Sequence, residues 1–439
     1  MVSDWPIMRL RDAKVTLTDC DHRTPPEAVS GYPYVAIPQL KSGRLDMAKV
    51  RRISREHYVE WTRKAKPLAG DVVLSRRCNP GETAVVPVNL EFAVGQNLVL
   101  LRADGTKIHP SFLRWLLRGP EWWRQVNGFI NVGAVFDSLK CADIPNFQLT
   151  IPPLPEQRAI AHILGTLDDK IELNRLMNET VEEMVRALFR SWFVNFDPVR
   201  AKTERRNSGL PRHIADLFPD SFEQSGLGEI PKGWEVANLR NACSAIFSGG
   251  TPNTREPGFW GGGIPWLSSG ETRETFIIST EKTITQAGVL GSSTRFAPKG
   301  STVVASAGQG RTRGQTSLLM IDAYVNQSVV VLRADRAVAS DLFLFCDLGE
   351  RYEEFRRMSD SSSSRGSLTT KILGEIPVVL PPKPLVDLFD QKVSPLVLRV
   401  GVASGESRVL ARLRDALLPE LLSGELRIPD VERLLEVAL

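Results

Sequence analysis

At 439 residues the chain is longer than one ordinary core accommodates, so it is expected to hold at least two domains. Its 42% hydrophobic and 24% charged content excludes a disordered chain, and a net charge of +4 does not by itself demand a polyanionic partner. Five scattered cysteines without metal-ligand spacing, no apolar run of transmembrane length and no leader-like start point to a reduced, cytoplasmic protein.

Residues 1–150 read as a mixed α/β globule, with short β-branched runs at 71–75 and 97–101 punctuated by Gly and Pro. A helix carrying Phe112, Leu113, Leu116, Trp122 and Trp123 follows Pro110-Ser111, and Pro120 is expected to break or kink it. Aromatic residues at helical spacing read as core in preference to base-stacking platforms. Residues 151–195 contain the clearest helix, with Pro155 and Glu156 suited to its first turn. Ile160, Leu167, Asn174, Val181 and Leu188 recur there every seven residues, a coiled-coil seam. Asn174 either places an amide in that seam, where it fixes register, or marks an exposed turn. Residues 196–235 form a basic connector with Phe196, Leu217, Phe218 and Phe222 as docking points. A second globule occupies 236–380, a second heptad helix 381–427 and a tail 428–439. The second seam is Phe389, Leu396, Ala403, Leu410 and Leu417, weakened in the middle by Gly401 and Gly405. Two such helices separated by a domain pair most economically with each other, antiparallel.

The chain states its content twice. Leu10-Arg11-Asp12-Ala13 returns as Leu239-Arg240-Asn241-Ala242, offset by 229 residues, and Gln96-Asn97-Leu98-Val99-Leu100-Leu101-Arg102-Ala103-Asp104 returns as Gln327-Ser328-Val329-Val330-Val331-Leu332-Arg333-Ala334-Asp335, offset by 231. Gly70 to Ser75 returns as Gly300 to Ser306, and each half closes with a proline-rich corner, at 144–155 and 376–384. This is a tandem duplication of one α+β unit followed by a long helix, and such a duplication gives one polypeptide pseudo-twofold symmetry suited to a bipartite target.

Catalytic signatures are missing. No Gly-Lys-Ser/Thr completes a phosphate-binding loop, and Gly308 to Gly314 lacks GxGxxG spacing. No double proline follows the Asn/Asp expected of an amino-methyltransferase loop, no Pro-Asp nuclease pattern occurs, and the five histidines are scattered. No metal site is expected.

Ile151-Pro152-Pro153-Leu154-Pro155-Glu156-Gln157-Arg158-Ala159-Ile160-Ala161, continuing to Leu167-Asp168-Asp169-Lys170-Ile171-Glu172-Leu173-Asn174, resembles the central conserved region of type I restriction-modification specificity subunits. Ser191 to Val199, Leu227 to Trp234 and Leu417 to Leu426 also match recurring family phrases, whereas Leu380-Pro381-Pro382-Lys383-Pro384 lacks the Glu-Gln-Arg of the first corner. The resemblance implies that each globule is a target-recognition domain reading one half of a split double-stranded DNA site. It implies that the paired helices act as a spacer, roughly 45 Å for about 30 residues, and dock two methyltransferase subunits. It implies further that restriction and translocase subunits complete the complex, with S-adenosylmethionine, ATP and Mg on the partner chains. The alternatives are a coiled-coil scaffold for protein partners, and an autonomous methyltransferase or nuclease with disguised motifs.

Candidate DNA-binding residues are Arg76, Arg77, Asn127, Asn131 and Lys140 in the first globule and Lys299, Arg311, Arg313, Arg365 and Lys371 in the second, where basic or amide side chains stand among small residues. The missing nucleotide motifs generate a direct expectation: calorimetry of the purified chain with S-adenosylmethionine or ATP gives no binding heat, and tight binding of either would overturn the division of labour.

Overall fold

The computed structural model describes residues 4–133, 137–308, 311–361 and 367–430. The chain divides into two compact units, one of residues 1–171 with 408–439 and one of residues 172–407. The division falls inside the two long helices, Leu154–Phe189 and Lys383–Ser423, so each unit takes helix from both. Among the described residues, no helix is long and apolar enough to cross a membrane.

The first unit is built on an antiparallel sheet in the order Val15–Asp19, Leu98–Ala103, Val72–Ser75, Thr83–Val85. Five of the six residues of Leu98–Ala103 are buried, which accounts for its nearly unbroken apolar run. A small sheet places Tyr32–Val35 antiparallel to Arg51–Ile53 and parallel to Ala93–Val94. Pro120 does break the expected helix: Pro110–Leu116 ends, and a second helix starts at Pro120 and runs to Phe129. Phe112, Leu113, Leu116 and Trp122 are buried as core residues, whereas Trp123 is only half-buried.

The second unit repeats the plan. Its larger sheet runs Cys243–Ser248, Val329–Ala334, Thr302–Ala305, Thr316–Leu319, Phe276–Ile277, and a four-stranded sheet orders Lys282–Ile284, Trp260–Leu267, Ala323–Val325, Arg295–Ala297. Helices Asp341–Glu350 and Tyr352–Ser361 stand where 110–116 and 120–129 stand in the first unit. The short ladders that close each repeat correspond as well, Ile7–Arg9 with Gln148–Thr150 and Glu235–Asn238 with Pro377–Leu380.

Of the expected connector contacts, Phe196 and Phe218 are buried and Leu217 lies outside them, exposed. They join an aromatic cluster in which Trp192 meets Phe218 at 5.4 Å and Phe196 meets Trp234 at 5.5 Å between ring centroids. The first long helix widens into a π-helical turn at Arg190–Val194 and stops where Phe196 turns left-handed, at φ 56°. This explains the Ser-Trp-Phe-Val-Asn-Phe-Asp-Pro phrase as packing.

Heptad spacing locates the buried side of both helices with one drift. Ile160, Leu167, Asn174, Phe389, Ala403, Leu410 and Leu417 are buried, but Val181, Leu188 and Leu396 are only half-buried. Val185 with Phe189, and Val393 with Val397, take over the buried side there. An α-helix drifts about 20° per heptad against a strict seven-residue repeat, so a straight stretch passes its contact to the next position. The second helix runs unbroken through Gly401 and Gly405, tertiary packing overriding their low propensity.

The helix faces are not uniformly apolar. In the second unit Asn174, 1% exposed, donates to the Ala403 carbonyl at 3.3 Å, to Glu406 at 2.8 Å and to Ser407 at 3.2 Å, while Asn178 donates to Ser404 at 2.9 Å. The amide therefore lies inside the pair, and since Phe189, further along, meets Phe389 at 5.8 Å, the two helices run antiparallel there. In the first unit Asp168, 2% exposed, accepts from the guanidiniums of Arg44 at 3.0 Å, Arg414 at 2.6 Å and Arg114. Burial opposes ionisation of Asp168, but Arg114, Arg44 and Arg414 outweigh it and hold the carboxyl below its usual value. Nearby Arg118 is pushed down to about 10, by burial first and by Arg414 second.

A carboxylate with a depressed value stabilises the fold above its unfolded pKa and loses that contribution as pH falls through the folded one. At neutral pH the contribution is complete. Asp168→Asn leaves three guanidiniums facing a neutral amide, and unfolding by urea at pH 7 should show a loss of about 3–5 kcal/mol; a change below about 0.5 kcal/mol would show that the cluster is not structural.

Candidate nucleic-acid interface

The sequence candidates fall into two pairs of segments, and each unit brings its pair together. In the first unit the hairpin between Val72–Ser75 and Thr83–Val85 is closed by Ser75 N donating to Glu82 O at 2.8 Å and Gly81 N to Ser75 O at 3.0 Å. Arg76 N donates to Asn97 O at 3.0 Å, and Arg76 O accepts from Leu139 N at 2.9 Å. In the second unit Ala305 N donates to Gln315 O, Gly314 N to Ala305 O and Ser306 N to Ser328 O, and Ser306 O accepts from Leu368 N, each at 2.9 Å. The same four backbone bonds occur in both units. They equate Ser75 with Ala305 and Arg76 with Ser306, and they show the loop before Gly314 to be three residues longer than the loop before Gly81.

One glycine seats each loop on a helix. Gly81 has φ 96°, and a Cβ there would stand 2.8 Å from Val126 and 2.9 Å from Trp123; Gly314 has φ 86°, and a Cβ there would stand 3.2 Å from Phe355. Side-chain donors add to the seating: Trp122 Nε1 to Gly81 O at 2.9 Å, and Tyr352 Oη to Arg311 O at 2.9 Å. The candidate surface in each unit is thus the described part of the loop and the helix it sits on, with Leu139 in the first unit and Leu368 in the second bonded to the loop's backbone.

The candidates are unevenly placed on this framework. Arg77 is exposed at the first tip and bridges to Ser138 through its backbone. Asn127 and Lys140 are exposed, and Asn131 donates to the carbonyls of Phe129 and Ser138, both at 3.4 Å. Arg76, by contrast, turns inward: its side chain is 11% exposed, with Nη2 3.9 Å from Asp19. Arg311 is exposed at the second tip, whereas Arg313 is largely buried in an ion pair with Asp360. Lys371 is exposed at the edge of a cleft lined also by Arg240 and Glu375, which pair at 3.1 Å. Lys299 is exposed and away from the loop tip, its N–H donating to Asp322 at 2.7 Å in a groove shared with Arg336 and Lys383. Arg365 lies outside the described residues.

Sequence reasoning missed the anchors. Asp19 and Asp360 are ordinary carboxylates in the sequence, and only the fold sets them beside Arg76 and Arg313. Gln157 was legible as part of a motif but not as a device: fully buried, it accepts from His109 N at 2.7 Å and donates to Lys107 O at 2.8 Å and Pro152 O at 2.7 Å, tying the long helix to the recognition globule. Val386, also buried, takes the corresponding place in the second unit, where the Glu-Gln-Arg is absent.

Asp19, Cys20 and His22 gather ligand atoms within 4.8 Å of one another, but their chemistry does not favour a metal. Asp19 is engaged by the Cys20 N–H at 3.0 Å and His22 Nε2 at 3.1 Å, with the Arg76 cation beside it. Burial and Asp19 push the Cys20 thiol up to about 11, away from the thiolate a metal needs.

Gly81→Ala forces a left-handed alanine, at about 1–2 kcal/mol, and crowds Val126 and Trp123. Thermal unfolding should register a loss of about 2 kcal/mol, and an unchanged midpoint would remove the glycine from its seating role.

The model of the type I restriction modification DNA specificity domain matches residues 3–183 and 231–392. The chain is 26% identical over 403 residues to the HindI specificity subunit of Haemophilus influenzae, covering 81% of this chain and 86% of that one. It is 23% identical over 409 residues to the MjaIX specificity subunit of Methanocaldococcus jannaschii, covering 92% and 87%. In fold it is similar to the S subunit of a type I restriction-modification system from M. genitalium, with a TM-score of 0.59 at 16% identity over 96% of both chains.

Proposed function

Because the chain belongs to the family of type I restriction-modification specificity subunits, we propose that each unit reads one half of a split DNA site through its loop tip and the segments beneath it. It is a specificity subunit with two target-recognition domains. The observation that carries the half-site reading is the recurrence of the same four backbone hydrogen bonds around both loops. One chain holds two loops in the same way and arms them with different side chains, as two unequal half-sites require.

In this reading the chain contributes no catalytic group. Adenine methylation from S-adenosylmethionine, and ATP- and Mg-dependent translocation and cleavage, belong to methyltransferase and restriction subunits in the cytoplasm. The absence of nucleotide-binding and methyltransferase motifs from the sequence supports this division. Docking of a methyltransferase subunit on the long helices is supported in the second unit by the exposed apolar side chains Leu173, Leu176, Leu398 and Val402, Val402 being 67% exposed. Large apolar side chains left outside a helix pair that buries its own seam are suited to a protein partner.

Two measurements test the reading. Sequencing-based methylation mapping of a genome expressing this chain with its methyltransferase should reveal one split motif, and no new modification would contradict the function. Val402→Asp should weaken co-purification of the methyltransferase at least tenfold while leaving the thermal midpoint of the free subunit unchanged; wild-type recovery of the partner would move the docking face elsewhere.

A further inference from the structure

We infer that Arg77 and Arg311 are the base-reading residues of the two loops, each directed at a guanine of its half-site, while Arg76 and Arg313 hold the loops in shape. This deepens the half-site reading proposed above and rests on it.

A residue that reads a base edge needs a fixed backbone and an uncommitted side chain, because discrimination comes from placing two donors against two acceptors. Arg77 meets both conditions. Its carbonyl accepts from Ser75 Oγ at 2.8 Å and from Asn79 N at 2.8 Å, and its backbone bridges to Ser138. Its guanidinium is exposed and takes no hydrogen bond or ion pair among the described residues. Arg311 meets them through different contacts. Tyr352 Oη fixes its carbonyl, Thr312 next to it is buried, and its guanidinium is likewise exposed and uncommitted among the described residues.

Their sequence neighbours fail the second condition. Arg76 is turned toward Asp19, and Arg313 is paired with Asp360, each with a side chain less than one-fifth exposed. To reach DNA Arg76 has to leave Asp19, whose carboxylate is only 26% exposed, without that cation, and Arg313 has to leave its own largely buried position beside the exposed Asp360. The four arginines thus divide into two anchors and two probes, and sequence adjacency conceals the division.

Equivalence between the loops sharpens the assignment. The shared hydrogen bonds make Arg77 the counterpart of Ala307, whereas Arg311, counted back from the shared Gly314, stands opposite Cys78. The probes therefore leave their loops from different positions, and the guanines they meet stand at different places in the two half-sites. Arginine matches the N7 and O6 acceptors of guanine with a planar fork, which lysine does not reproduce.

Methylation profiling of Arg77→Ala, Arg77→Lys, Arg311→Ala, Arg76→Ala and Arg313→Ala in the assembled methyltransferase tests the assignment. Both Arg77 variants should lose about 5- to 150-fold in discrimination at one G·C position of one half-site, with Arg311→Ala doing the same in the other half. Arg76→Ala and Arg313→Ala should lower the unfolding temperature of the subunit and leave the motif intact. A uniform fall in methylation with an unchanged motif for Arg77→Ala or Arg311→Ala identifies phosphate contacts and overturns the assignment, as does relaxation of the motif by Arg76→Ala or Arg313→Ala. A wild-type complex without a split motif would instead refute the half-site reading itself.

Discussion

Neither repeat closes its own core. The first unit joins residues 1–171 to residues 408–439, and Leu410, Leu417, Leu418 and Leu421 from the last helix complete its interior. The second globule in turn packs on Val185, Phe189, Trp192 and Phe193, which follow the first globule in sequence. Burying such side chains contributes roughly 1.5–3 kcal/mol each, so detaching either helix segment removes a large share of a marginal total. Folding of each reader is therefore bound to the return of the opposite helix, and the duplication is one folding problem written in two instalments.

The polar groups on those helices follow from the same constraint. An antiparallel pair with apolar seams alone tolerates neighbouring registers, whereas Asn174 finds its three acceptors among Ala403, Glu406 and Ser407 only in one. Asp168 acts similarly in the first unit, since it draws Arg44 and Arg114 of the globule and Arg414 of the last helix onto one carboxylate. Buried ionic groups of this kind add little net stability over apolar replacements but are expensive to break singly. They specify an arrangement more than they strengthen it.

Much of the fold was legible because repetition and periodicity are written in the residues themselves. The duplicated phrases located both central strands, Leu98–Ala103 and Val329–Ala334, and Pro120 marked a helix boundary. The heptads found the buried faces until helix geometry moved the contact from Leu188 to Phe189. What escaped was whatever depends on a partner distant in sequence: the carboxylates that capture Arg76 and Arg313, the role of Gln157, and the resolution of Asn174 into the seam. A cluster of arginines announces a polyanion, but which of them remains uncommitted is decided by tertiary neighbours.

The two target-recognition domains are expected to read their half-sites independently of each other. The most direct measurement replaces residues 236–380 with the corresponding segment of a relative of different target and maps methylation by the hybrid complex. One half of the split motif should change to the relative's while the other half persists. A motif altered in both halves, or in neither, would contradict that independence.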